Sequence, residues 1–165
     1  MFSEELNIIY DSKCNVCKLE IDFLRKRDQT LAKKNQRGPK LKLTDIEDIN
    51  YDPNDSANGG ITYERGMASM HAVTKDGTIV NGVPVFRLAY EQVGLGWLFA
   101  VTKFPLVKNI ADKIYNVFAK YRTNITRGKS LDTLIEDYKA KRVLEQQKEE
   151  ADCDVCTTAK VDPKS

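Results

Sequence analysis

The chain has 165 residues, 41% of them hydrophobic, a size and content suited to one domain with one core. Its 26 Lys and Arg stand against 24 Asp and Glu, and a net charge of +2 is too small for a surface built to neutralise phosphates, so nucleic acid is not an expected partner. No run approaches the roughly 18 apolar residues of a membrane span, and the opening MFSEELNIIY lacks the basic, apolar, small order of a secretory signal, so no membrane is expected either and the chain reads as cytoplasmic.

In chain order, Leu6 to Tyr10 is a short apolar run that predicts a strand. Asp11-Ser12 offers good N-cap residues, and the apolar arc of Val16, Cys17, Leu19, Ile21, Phe23 and Leu24 predicts a helix packed on a sheet. After a break at Arg37-Gly38-Pro39, the alternation of Leu41 to Thr44 predicts a second strand. The segment 45–67, rich in Asp, Asn, Gly and Ser, reads as a long surface loop with short helical turns at most. Asp76-Gly77 between Met70–Thr74 and Thr78–Val80 predicts an antiparallel hairpin. Pro84 then opens a helix that stops at Gly94.

Beyond Gly94-Leu95-Gly96-Trp97, the positions Leu106, Val107, Ile110, Ala111, Ile114, Val117, Phe118 and Tyr121 recur at spacings of three and four, which predicts core-facing helix. The aromatic set Trp97, Phe99, Phe104, Tyr115, Phe118 and Tyr121 is read as core packing without a cofactor. Ser130 caps a last helix carrying Leu131, Leu134, Ile135 and Tyr138. The apolar stripe is lost after Leu144, so the expected organisation is a domain over 1–144 and a flexible tail over 145–165.

The four cysteines form two C-x-x-C pairs, Cys14/Cys17 and Cys153/Cys156, with none in the 135 residues between. Scattered cysteines would suit a disulfide framework; paired ones suit chemistry. A C-x-x-C where a strand meets a helix puts Cys14 at the helix N-terminus, where free N–H groups and the dipole favour a thiolate, and Lys13 adds charge of the same sign. Cys17, nearly a turn later, is on the same side and can close a disulfide with Cys14 or resolve a mixed one. The competing reading is zinc, with all four cysteines as ligands. His71, the only histidine, excludes a Cys₂His₂ site within one chain.

Tyr10-Asp11-x-x-Cys14-x-x-Cys17, followed by Arg25-Lys26-Arg27-Asp28, resembles the DCC-type thiol-disulfide oxidoreductase family. The likeness continues through Met70-His71-Ala72-Val73, Asp76-Gly77, Gly82 with Val85-Phe86-Arg87, Gly94-Leu95-Gly96-Trp97, Ala111-Asp112, Tyr115 and Ala119-Lys120-Tyr121-Arg122, where it is similar to the branch of cyanobacteria and plant plastids. The resemblance implies an α/β, thioredoxin-like fold: a small mixed sheet with flanking helices and additional C-terminal helices. It also implies dithiol–disulfide activity with Cys14 and Cys17 as the redox pair; the expected substrate is a protein or small-thiol disulfide, and no cofactor is expected. A processed chain of this branch would reside in the plastid stroma. Asn15-Val16 replaces the Gly-Pro of thioredoxin, and Ala68-Ser69-Met70 stands where thioredoxins carry a cis-proline.

Asp11, three residues before Cys14, reads either as an N-cap or as a proton-handling group, and the resemblance adds it to the catalytic residues. His71 on the hairpin strand is an accessory candidate whose bland alternative is a packed, hydrogen-bonded histidine. Cys153 and Cys156 are read as a shuttle dithiol on a flexible tether, a metal pair, or a pair without strong role. A third overall reading is a non-catalytic interaction protein that binds through the loop 45–67.

Overall fold

Leu6–Tyr10 forms β1, and Leu6, Ile8, Ile9 and Asn7 are all buried, which marks it as a central strand covered on both faces. The computed structural model of the chain describes residues 2–98 and 105–158; the side chains at 105, 106, 108, 146 and 149–158 lie outside that description, as do Phe99 and Phe104. After β1 come α1 (Asn15–Lys34), β2 (Leu41–Asp45), a 3₁₀ turn (Ser56–Asn58), α2 (Tyr63–Ala68), β3 (His71–Thr74), β4 (Ile79–Asn81), α3 (Val83–Gln92), α4 (Pro105–Arg127) and α5 (Leu131–Thr158).

The sheet runs β2-β1-β3-β4. β1 and β2 pair in parallel, joined by the α1 crossover, while β3 lies antiparallel to β1 and β4 to β3. This is the thioredoxin-like arrangement that the resemblance implies. One face carries the core of Leu6, Ile8, Ile21, Leu24, Val85, Ala89 and Val93, contributed by β1, α1 and α3. Asp28, buried on α1, accepts from the backbone N–H groups of Lys40 (2.8 Å) and Leu41 (3.0 Å) and thereby fixes where β2 begins. The Asp-Gly hairpin forms between β3 and β4, with Gly77 at φ +86° and the Asp76 carboxylate accepting from Thr78 N.

Two expectations are corrected. The segment 45–67 is not a surface loop: Ile46, Tyr51, Ala57, Ile61, Tyr63 and Met67 are buried, and Asn7 of β1 donates to the Ala57 carbonyl (2.7 Å). Its polar residues close turns at the surface, while its irregularly spaced apolar ones cover the second face of the sheet, a pattern without a helical or strand period. The face of α4 is the other case. Val107, Ile110, Ile114, Val117 and Tyr121 are exposed, and the inward stripe is Tyr115, Phe118, Ala119, Arg122 and Thr123. Apolar residues occur on two sides of this helix, so spacing alone does not decide which side packs. Trp97, 69% exposed, is likewise not core.

The chain divides into compact units at Lys129/Ser130. In the second, Ser130 Oγ accepts from Thr133 N (3.3 Å) at the start of α5, whose helical backbone continues through Thr158 where the sequence reading begins a flexible tail at residue 145. Glu145 to Ala151 are strong helix formers that need no apolar stripe to be helical. No helix among the described residues is long and apolar enough to cross a membrane.

Candidate active site

Cys14 is itself the N-cap of α1. Its backbone is extended (φ −83°, ψ 106°), and its sulfur accepts from the backbone N–H of Cys17 at 3.3 Å, the place usually taken by a Ser or Asp oxygen. The first turn of α1 holds no acidic residue, so no carboxylate within the helix competes with this sulfur for the positive end of the helix dipole. Hydrogen bonding from the Cys17 thiol, the Cys17 N–H and the charge of Arg122 lower the Cys14 thiol from 9.0 to about 6, against burial and the charge of Asp11. A thiolate therefore stands at Cys14 at neutral pH.

The same contact acts in reverse on Cys17. Donation to Cys14, together with burial, pushes its thiol well above the usual range, opposed by Arg122. Arg122, 3% exposed on the inward stripe of α4, places Nη1 3.4 Å from Cys17 Sγ. Its Nη2 donates to the carbonyl oxygens of Gly66 (3.1 Å) and Met67 (2.8 Å) at the end of α2. Tyr115, also on α4, accepts from Met70 N (2.7 Å). The residues on either side of Ala68-Ser69, where thioredoxins carry a cis-proline, are thus tied to α4: Gly66 and Met67 by Arg122, Met70 by Tyr115. Both cysteines are free thiols, Cys14 with no exposed surface and Cys17 with 4%. A cleft of about 320 Å³ reaches Cys17 between Val16, Met70, Phe86, Tyr115 and Phe118.

Asp11 is not the cap of α1. Its carboxylate accepts from Lys13 N (2.9 Å), an Asx turn, and pairs with the guanidinium of Arg127. Arg127 also pairs with Glu47 (2.6 Å), which takes Lys13 Nζ (2.6 Å) and the Tyr63 hydroxyl (2.7 Å). Burial alone would raise the Glu47 carboxyl, but these three donors outweigh it and hold it below its usual range. Lys13 is thus paired with Glu47, and the cation whose charge bears on Cys14 is Arg122.

His71 is buried on β3, its Nδ1–H donating to the Ser69 carbonyl at 2.8 Å; burial lowers its pKa, so it is neutral at pH 7. Cys153 and Cys156 fall on the helical backbone of α5, with side chains outside the described ones. Among the described residues no three His, Cys, Asp or Glu side chains gather as a metal site.

Arg122, Arg127, Glu47 and Tyr115 join the site only in the structure. For Arg122 a signal existed: it lies three, four and seven residues after Ala119, Phe118 and Tyr115, a charge in register with an apolar stripe. Glu47 carries no such mark in its polar surroundings.

The sequence profile of the family described as DCC1-like thiol-disulfide oxidoreductase matches residues 8–128. A chloroplastic protein of Arabidopsis thaliana, itself uncharacterised, is 36% identical over 139 residues, covering 84% of this chain and 61% of that relative's length. No solved structure matches.

Proposed function

Because this chain belongs to the DCC1-like thiol-disulfide oxidoreductase family, we propose that it exchanges disulfides through Cys14 and Cys17 as an enzyme acting on a protein or small-thiol disulfide. The observation that carries this reading is the sulfur of Cys14 at the N-cap of α1, accepting the N–H of Cys17. Cys14 attacks as the thiolate; one substrate sulfur leaves as a thiolate and a mixed disulfide remains on Cys14. Cys17 then attacks Cys14, the second substrate sulfur leaves, and the Cys17 proton together with one from solvent protonates the two product thiolates. The pair is oxidised by two electrons and the substrate disulfide reduced by two. Asp11 acts here as a positioning residue that fixes the turn before Cys14, its charge met by Arg127.

A reducing setting, cytoplasm or plastid stroma, favours this reductive direction. The test is turnover of insulin disulfides with dithiothreitol as electron source. Wild type is expected to accelerate the reaction, Cys14→Ser to abolish it, and Cys17→Ser to accumulate a mixed disulfide on Cys14 visible by mass spectrometry. Full activity in Cys14→Ser overturns the proposal.

A further inference from the structure

The geometry points to Arg122 as a catalytic residue of the second half of the exchange, stabilising the Cys17 thiolate as it forms to attack the mixed disulfide. The inference rests on the dithiol reading above and adds a residue to it. Arg122 Nη1 donates to Cys17 Sγ at 3.4 Å, and its Nη2 is anchored by two backbone carbonyls, Gly66 and Met67, so the guanidinium is held in place before any charge develops on sulfur. The guanidinium is buried, its Nε has no hydrogen-bond partner, and among the described residues no carboxylate pairs with it. A buried cation paired with no carboxylate is costly, and of the two sulfurs on which its charge acts, Cys17 is the one its Nη1 touches.

The two sulfurs are served differently. Cys14 takes the N–H and the thiol of Cys17 in the resting dithiol, and Arg122 acts on it through its charge and not through a hydrogen bond. Once Cys14 is tied in a mixed disulfide, it no longer draws the Cys17 proton. Cys17 must then release that proton, which ends on the departing thiolate, and its sulfur forms the bond to Cys14 as the bond from Cys14 to the substrate sulfur breaks. The charge that passes through Cys17 in this step exists in neither the resting dithiol nor the product disulfide. A fixed guanidinium beside it therefore lowers the barrier more than it stabilises the states on either side.

The experiment uses the full chain with Cys153→Ser and Cys156→Ser as parent, reduced, and mixed at neutral pH with one equivalent of dithiobis(nitrobenzoate) in a stopped-flow instrument. The first thionitrobenzoate released reports attack by Cys14 and the second reports resolution by Cys17. In Arg122→Gln the ratio of second to first rate is expected to fall about tenfold or more, the loss of a charge-assisted hydrogen bond to the reacting atom. In Arg122→Lys, which keeps the charge and loses the fork, a fall of about threefold or more is expected. Near-ultraviolet circular dichroism establishes which variants are folded, and if Arg122→Gln is not, the Lys variant decides by the same ratio. An unchanged ratio in a folded variant, or equal slowing of both steps, overturns the assignment, since a merely structural residue would slow both. A parent that never releases a second equivalent overturns the dithiol reading itself, a result distinct from the failure of Arg122.

Discussion

Arg127 at the end of α4 pairs its guanidinium with the carboxylate of Asp11, 116 residues earlier, in a contact where the two side chains are 8% and 2% exposed. Removing one member of such a pair leaves the other as a buried charge. Arg127→Met is expected to lower stability by about 3 kcal/mol in urea unfolding. It also frees the Asp11 charge, which raises the Cys14 pKa, so the pH midpoint of iodoacetamide alkylation at Cys14 moves up. Asp11→Asn moves that midpoint down. Equal midpoints in the two variants would show that the pair does not act on the sulfur.

The Cys14 thiol, at about 6 in the folded protein against 9.0 ordinarily, links stability to pH. Its folded value is the lower one, so its contribution is complete above 9.0 and is lost as pH falls towards 6. Cys17 is displaced upward and has the opposite sign: its contribution is present below the ordinary thiol value and is lost as pH rises through its folded one. The reduced protein should therefore gain melting temperature from pH 6 to 9 by more than Cys14→Ser does. Parallel curves for the two proteins would exclude a resident thiolate.

His71 has a folded pKa below its ordinary 6.5 because burial disfavours the cation. The unfolded chain takes up the proton first as pH falls, so stability is lost below 6.5 down through the folded value. His71→Asn places an amide N–H where Nδ1–H stood and removes the titration. It should abolish this acid-side loss in thermal melts while leaving the exchange rate at neutral pH unchanged. A slower exchange would give His71 a role in proton handling.

A Cβ on Gly66 would overlap the Cδ1 of Ile46, itself buried, while the Gly66 carbonyl is held by Arg122. Gly66→Ala should cost about 1–3 kcal/mol through overpacking. It should also slow the second step of exchange, since the shift it forces displaces an anchor of the guanidinium. Normal two-step kinetics in this variant would mean that the Met67 carbonyl suffices.

The parts of the fold legible in the sequence are those set by local chemistry. Asp76-Gly77 demands a tight turn, Pro84 and Gly94 bracket α3, and the C-x-x-C after LNIIY marks the strand–helix junction. Asp11-Ser12 carries the side-chain oxygens that usually cap a helix, whereas the observed cap is the sulfur of Cys14, one residue before the helix, an atom that rarely fills that position. The burial of 45–67 and the inward face of α4 are decided by partners distant in the chain, which no window of ten residues contains. Arg122 belongs to both classes: its register on α4 was readable, but its partner, 105 residues earlier, was not.

That separation has a consequence for the chain during synthesis. A ribosome that has released β1 and α1 has produced both thiols and the helix N-terminus, yet α4, with Arg122 and Arg127, has still to emerge. The nascent dithiol lacks the guanidinium at Cys17 and leaves Asp11 unopposed beside Cys14, which disfavours ionisation of both sulfurs. Arrival of α4 thus favours ionisation of both sulfurs, and an unfinished chain is less prone than the finished protein to form mixed disulfides with other molecules.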